Sequence, residues 1–189
     1  MEELQNYIGS YFDTKAEDSR RIADLFTSTL LKKDEFHTKH GQRHATLSFV
    51  KSGVLRIHKQ TDRKEVTQWI STSGEFVTEL GALMFDQPAR WNIQALTDCE
   101  LFTLSHTDYL SINEHISNWA EIEKLFLSKC FMSIEDRVFS FLSMTTEERY
   151  AYLCEVKPEV IQQVPQQYIA SMLGMTPETL SRVRRKIIS

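Results

Sequence analysis

The chain has 189 residues, of which 41% are apolar, and a formal net charge of −4 at neutral pH. This length and apolar content can fill the core of one good-sized domain or two small ones, and they exclude a disordered or collagen-like chain. The first residues are acidic, and no apolar run approaches the roughly 20 residues that cross a bilayer. We therefore expect a soluble cytoplasmic protein without a membrane partner.

The three cysteines, Cys99, Cys130 and Cys154, are an odd number and show no C-x-x-C spacing. This pattern argues against a disulfide framework, a structural zinc site or a cysteine-bound cluster. We expect reduced thiols that are mostly buried, because free cysteine commonly behaves as a small apolar side chain.

Up to about residue 105 the pattern is typical of short strands. β-rich runs flank Ser52-Gly53 and Thr97-Asp98, and "EVTQWIS" at 65–71 alternates polar and apolar residues. Such runs, separated by Gly, Asp and Ser turns, predict a rolled or sandwiched β domain. The stretch from Leu4 to Phe26 is predicted to be helical and to pack on the outside of this roll.

After Ser105 the helical period takes over and predicts a long helix over 117–143. One apolar seam recurs at steps of four and three residues, at Leu127, Phe131, Ile134, Val138 and Phe141. A second apolar side lies near the helix start, at Trp119, Ile122 and Phe126. This arrangement indicates a helix that packs on its own domain and on a second copy of the chain. A helix that covers only its own core is the alternative.

The last part of the chain begins with two short predicted helices, "TEERYAYLCEV" and "KPEVIQQ", and ends on "QQYIASMLGMTPETLSRVRRK". The spacing of this final stretch is typical of a helix-turn-helix. Ala170 lies four residues before Gly174, where crossing helices need a small side chain, and Gly174 suits a left-handed turn. Thr176 is a predicted cap, followed by Pro177 at the first helical position and Glu178 in the first turn.

The second helix of this motif has two predicted faces. Leu180, Val183 and Ile187 point inward, and the opposite face carries Glu178, Ser181, Arg182 and Arg185. Arg182 can donate two hydrogen bonds to guanine and Glu178 can accept one from cytosine, so this face suits a DNA major groove. Arg184 and Lys186 flank it and suit phosphates. The alternative is a basic, solvated face on an ordinary core helix.

These motifs in this order resemble the Crp/Fnr family of bacterial transcription regulators. The resemblance runs from "SGVLRIHK" through "GEFVTELGALMFDQPARWNIQAL" and a long helix to the terminal motif. The ending "PETLSRxRRK" is similar to short Bacteroidetes members. The resemblance implies an α+β fold: a cyclic-nucleotide-binding-type β-roll over 1–116, a dimerisation helix over 117–143 and an all-α helix-turn-helix domain over 144–189. It also implies a regulator without enzyme activity, with double-stranded DNA, a second copy and RNA polymerase as candidate partners.

The resemblance further places a candidate effector pocket at Glu79, Leu80, Gly81, Arg90 and Trp91. In cyclic-nucleotide-binding members an arginine followed by Ser or Thr and Ala holds the phosphate. Here the arginine is displaced by one place and bulky Trp91 follows it, and one place on a strand reverses the face. We expect an effector other than cyclic AMP or cyclic GMP, or none, and no cofactor.

Three further expectations concern features outside these motifs. Only three residues follow Lys186, so we expect no β-hairpin wing after the recognition helix. The cluster His37, His40 and His44 would hold metal only if the roll were a cupin-like metalloenzyme; we expect no metal site. A ligand-sensing module that acts on a protein partner is the other alternative to a DNA-binding regulator.

Overall fold

The computed structural model describes residues 2–12 and 14–188, without the side chains of residues 10, 12, 187 and 188. Its strands are β1 Thr27–Leu31, β2 Phe36–Thr38, β3 Leu47–Ser52, β4 Leu55–Gln60, β5 Glu65–Ser71, β6 Phe76–Val77, β7 Asn92–Ala95 and β8 Cys99–Leu104. Its helices are α1 Glu2–Phe12, α2 Ala16–Asp24, α3 Leu80–Met84, α4 His106–His115, α5 Trp119–Ser143, α6 Thr146–Val156, α7 Pro158–Gln163, α8 Gln166–Met172 and α9 Pro177–Ile188.

The eight strands form two antiparallel sheets, with the orders β1-β8-β3-β6 and β2-β7-β4-β5. The two predicted turns are corners at which the chain passes from one sheet to the other. They also meet: a Cβ on Gly53, whose φ is +97°, would lie 2.6 Å from the carbonyl oxygen of Asp98. Glycine is therefore required where the corners touch, and the pair of corners closes the roll.

The N-terminal stretch forms two helices where a single helical region was predicted. Leu4 and Ile8 of α1 are fully buried, as are Ile22 and Ala23 of α2, in one core that also includes the first part of α5. An edge-on contact between the rings of Phe76 and Phe126, with centroids 5.7 Å apart, joins the roll to α5 in this core.

The long helix α5 is buried in its first half and exposed in its second. Trp119, Ile122 and Phe126 are buried, as predicted, whereas Phe131 and Ile134 are exposed over 62% and 55% of their surface. Among the described residues, no helix is long and apolar enough to span a bilayer.

The four C-terminal helices form their own core, which also contacts the roll. Leu153, Val160, Ile169, Leu180 and Val183 pack together with Val54 and Ile70 of the roll. Because helix α9 is held by this core, its position relative to the roll is set by side-chain packing. The predicted inward position of Ile187 lies outside the described side chains.

Candidate nucleic-acid interface and effector site

The turn between α8 and α9 has the geometry that the spacing predicts. Gly174 has a φ of +70°, and the next amide, of Met175, donates to the carbonyl of Ala170 at 2.9 Å. Ala170 is fully buried where the two helices approach. The small residue and the left-handed glycine together allow α9 to turn sharply away from α8.

The start of α9 is fixed by its cap. The amide of Thr179 donates to the hydroxyl of Thr176 at 3.2 Å, and Pro177 is the first helical residue. Backbone amides at the helix start, the Thr176 hydroxyl and the charge of Arg182 lower the pKa of Glu178. Glu178 is therefore an ionised acceptor at neutral pH, as a contact to a cytosine amino group requires.

The face predicted to read DNA is exposed along its length. Glu178, Ser181, Arg182 and Arg185 are all exposed, while Leu180 and Val183 beneath them are buried. Arg182 makes a long bond of 3.3 Å to the Thr179 hydroxyl. This weak exposed contact leaves the guanidinium available for a stronger acceptor.

The flanking basic residues have protein partners. Lys186 forms an exposed ion pair with Glu147 of α6 at 2.9 Å, and this pair lowers the pKa of Glu147 to about 2. Arg184 is half-buried beside Tyr150. Exposed ion pairs contribute little free energy, so Lys186 can exchange Glu147 for a phosphate, whereas Arg184 is held more firmly.

The contacts that dock α8 on the roll have no counterpart among the predictions from sequence. Arg56 of β4 is buried, donates to the Thr67 hydroxyl at 2.8 Å and pairs with Glu65 at 2.6 Å. Its guanidinium lies 3.6 Å from the ring centre of Tyr168 on α8. The Thr67 amide also donates to the Ser171 hydroxyl at 2.9 Å. A charged residue in an alternating strand normally indicates solvent, so no sequence signal identified this joint.

Gly174 also allows a first test of the turn. We expect Gly174→Ala to lower the free energy of unfolding by about 1 kcal/mol through its positive φ. A Cβ there would also lie 2.7 Å from the Phe141 ring, which adds roughly 1–3 kcal/mol of overpacking. Urea denaturation measures the sum.

The control for that test is Gly74→Ala. Gly74 has a φ of +88° but open space around its Cβ position, so its substitution carries the backbone cost alone. Relieving the overpacking with Phe141→Leu should recover part of the Gly174→Ala loss. Equal losses for the two glycine substitutions would show that Phe141 does not constrain the turn.

The candidate effector residues meet around a buried carboxylate. Glu79 is only 2% exposed and caps α3, accepting from the Ala82 amide at 2.8 Å. Arg90 donates to the other oxygen of Glu79 at 3.1 Å, and Gly81 lies against the pair. Leu80 begins α3, and Trp91 is half-buried after Arg90. The structure thus brings Glu79, Gly81 and Arg90 together.

Arg90 does not lie on a strand, so strand alternation does not set the direction of its side chain. Strand β7 begins at Asn92, so Arg90 lies in the preceding irregular segment, and its side chain turns toward Glu79. The displaced arginine therefore reaches the predicted cradle in spite of the one-place shift. In this structure, however, its guanidinium is already paired with a carboxylate.

The three neighbouring histidines have different surroundings. His37 is hydrogen bonded to Ser48 at 2.8 Å and to Thr38 at 2.9 Å, and burial lowers its pKa to about 4. His44 lies 3.6 Å from Asp86, and His40 is exposed. Within the described part of the chain, no three His, Cys, Asp or Glu side chains are grouped as a metal site requires.

The predicted dimer seam is an apolar surface on α5. Leu127 is half-buried, and Phe131, Ile134 and Val138 are exposed, the last over 54% of its surface. Phe141, which continues the seam in sequence, instead contacts the turn at Gly174. The exposed stripe of the seam is therefore Phe131, Ile134 and Val138, with Leu127 half-buried at its start and Phe141, 38% exposed, beside the turn.

Comparison with known proteins gives the class of fold. Residues 29–115 match the family model of the cyclic nucleotide-binding domain, a segment that begins within β1 and ends with α4. This part of the chain is similar to domains of that type. No curated protein sequence is significantly similar to the chain.

Solved structures extend the likeness to nearly the whole chain. The c-di-GMP-responsive global regulator CLP of Xanthomonas campestris is 22% identical with a TM-score of 0.66, covering 92% of this chain and 91% of that one. The catabolite activator protein of Thermus thermophilus is 21% identical with a TM-score of 0.55, covering 91% and 83%. FixK2 of Bradyrhizobium japonicum is 17% identical with a TM-score of 0.68, covering 86% and 84%.

At these identities the likeness shows the fold. The chain has the architecture of Crp-type structures, in which a cyclic-nucleotide-binding β-roll is followed by a long helix and C-terminal helices. The predicted fold class is confirmed in these terms. The short Bacteroidetes subtype and the missing wing stay predictions.

Proposed function

We propose that the chain is a homodimeric transcription regulator that reads a roughly palindromic DNA operator with α9. The exposed polar face behind a capped left-handed turn carries this proposal. It combines side chains that donate to and accept from base edges, Arg182 and Glu178, with a neighbouring cation that can contact a phosphate, Lys186. This is the combination that major-groove reading by a helix-turn-helix uses.

Selection of bound sequences from random DNA tests this proposal directly. We expect a two-fold symmetric consensus whose half-sites are centred about 34 Å apart, one turn of DNA. Two copies of α9, brought together through α5, would occupy successive major grooves. Failure to enrich any sequence, together with the lack of a salt-sensitive affinity for any DNA, would favour a sensing module that acts on a protein partner.

Cyclic AMP and cyclic GMP are not the ligands that we propose for the roll. The phosphate of either would have to draw Arg90 away from Glu79, a carboxylate buried to 2% exposure. Losing the partner of a buried charge is costly, and Trp91 adds bulk beside the site. The match to the cyclic nucleotide-binding domain indicates the fold of the roll, whereas the identity of its ligand depends on the side chains of Glu79, Arg90 and Trp91.

Calorimetric titration measures this expectation. We expect no saturable heat on adding cyclic AMP or cyclic GMP to the protein at micromolar concentration. Arg90→Gln should not change that result, because Arg90 serves Glu79 and not a phosphate. A micromolar dissociation constant that is lost in Arg90→Gln would show instead that the displaced arginine holds the ligand.

A further inference from the structure

A cavity of about 490 Å³ lies where the roll, the long helix and the DNA-binding helices meet. We call it the junction cavity; its lining includes Trp69 of β5, Arg137 and Phe141 of α5, Arg149 and Tyr152 of α6, and Met172 of α8. It is separate from Glu79 and Arg90. Its volume falls in the range of about 300–1,000 Å³ that small-molecule sites occupy, and such sites often lie between domains.

Two arginines in this cavity have no carboxylate partner among the described residues. Arg137 donates to the Met172 carbonyl at 2.9 Å, and burial lowers its pKa. Arg149 lies 4.6 Å from the centre of the Phe141 ring, and its buried Nε has no hydrogen-bond acceptor. Charged side chains that are partly buried are normally paired, so these two guanidinium groups favour a negative group beside them.

The other charges leave the cavity positive. Lys157 also lines it, but this lysine pairs with Glu75 and donates to the Ile70 carbonyl at 3.1 Å. Asp136 is the acidic residue of the lining. With Lys157 neutralised by Glu75, the two arginines exceed Asp136 by one positive charge, which favours an anion.

The remaining walls are aromatic and aliphatic. Trp69, Phe141 and Tyr152 supply rings, and Leu153, Val156 and Leu173 supply aliphatic surface. A fully hydrated inorganic anion would leave this surface uncovered. An organic acid with a ring would cover it while its acidic group accepts from the arginines.

We propose that the junction cavity binds a small aromatic acid, with the acidic group on Arg149. The exposed seam residues Phe131, Ile134 and Val138 are not part of its lining, whereas Phe141, which continues the seam in sequence, is. A helix turns about 100° per residue, so Asp136 and Ser140 of the lining lie on the side of α5 opposite Ile134 and Val138. A second copy packed on Phe131, Ile134 and Val138 would leave that side of the cavity accessible.

The fluorescent sulfonate 8-anilinonaphthalene-1-sulfonate is a suitable probe, and N-phenyl-1-naphthylamine is its matched uncharged analogue. We expect one sulfonate molecule per chain to bind saturably, and the uncharged analogue to bind at least tenfold more weakly. Bound probe should quench tryptophan emission, and Trp69→Phe should remove most of that quenching. Equal affinities for the two probes would overturn the proposed anion site.

Substitutions of single residues test whether the sulfonate binds in the junction cavity. Arg149→Met keeps an unbranched side chain but removes the charge, and it should weaken sulfonate binding at least tenfold without changing binding of the uncharged analogue. Arg63→Met, at an exposed position between β4 and β5, is the control and should have no effect. Wild-type sulfonate affinity in Arg149→Met would overturn the proposal. If Arg149→Met does not fold, Val156→Glu at a half-exposed wall position should abolish sulfonate binding by repulsion.

A role of this site in regulation rests on the proposed function, whereas the binding itself does not. An occupant would contact β5, α5, α6 and α8 at once, so its affinity depends on how these elements are arranged. Saturating sulfonate should change operator affinity at least threefold in the wild type and not in Arg149→Met, and operator DNA should change sulfonate affinity by the same factor. If the probe binds but operator affinity does not change, the regulatory role is wrong, while the proposed binding site still stands.

Discussion

Arg182→Ala should weaken binding to the selected operator by about 10-fold to 100-fold per half-site. A bidentate contact between arginine and guanine contributes roughly 1–3 kcal/mol of discrimination, and the proposed dimer would make this contact twice. The guanidinium is exposed on α9 and makes only a 3.3 Å bond to Thr179, so its loss should leave the fold intact. Competition titration against operators changed at single base pairs would locate the guanine concerned.

Lys186→Ala is the matched control on the same helix. Its side chain pairs with Glu147 at 2.9 Å, an exposed contact that can be exchanged for a phosphate. We expect this variant to bind all DNA sequences more weakly by the same factor. The slope of the logarithm of the binding constant against the logarithm of the salt concentration should become shallower by about 1 per chain. If Arg182→Ala left both the preferred sequence and the affinity unchanged, α9 would not be the reading helix in the way that we propose.

The local elements of this protein were predictable because their periods are strong. The runs beside Ser52 and Thr97 are strands, and the turn at Gly174 follows from its spacing. That the two strand turns are corners between sheets was not predictable, since alternation shows which face is buried but not which strand is the partner. The short strand β1 alternates only between exposed and half-buried positions, and none of its residues is fully buried.

Side-chain partners in the sites were less predictable than the elements. Arg56 is buried because Glu65, Thr67 and Tyr168 converge on it from two domains, and nothing local in "VLRIHK" indicates this. The reasoning about Arg90 failed because it assumed a strand that begins only at Asn92. In both cases tertiary packing decides the direction of a charged side chain.

We expect Ile134→Glu to convert the proposed dimer to a monomer and to reduce operator affinity at least 100-fold. Ile134 is 55% exposed on the stripe with Phe131 and Val138, and the two-fold axis of a paired helix would place two carboxylates close together in an apolar contact. Unpaired charges at such a position cost several kcal/mol. Sedimentation at micromolar concentration measures the change in mass.

Met132→Glu is the matched control, because Met132 is 59% exposed on the same helix but points about 130° away from the centre of the stripe. This variant should remain a dimer with wild-type operator affinity. If both variants are monomers, any new charge on this part of α5 disrupts the dimer. If the wild-type protein is itself a monomer, the stripe is not a dimer interface. A dimer that persists in Ile134→Glu but fails to bind DNA would instead place the contact elsewhere. The proposal therefore requires that Ile134→Glu loses both the dimer and the operator affinity while Met132→Glu keeps both, because the stripe is proposed to set the spacing of the two copies of α9.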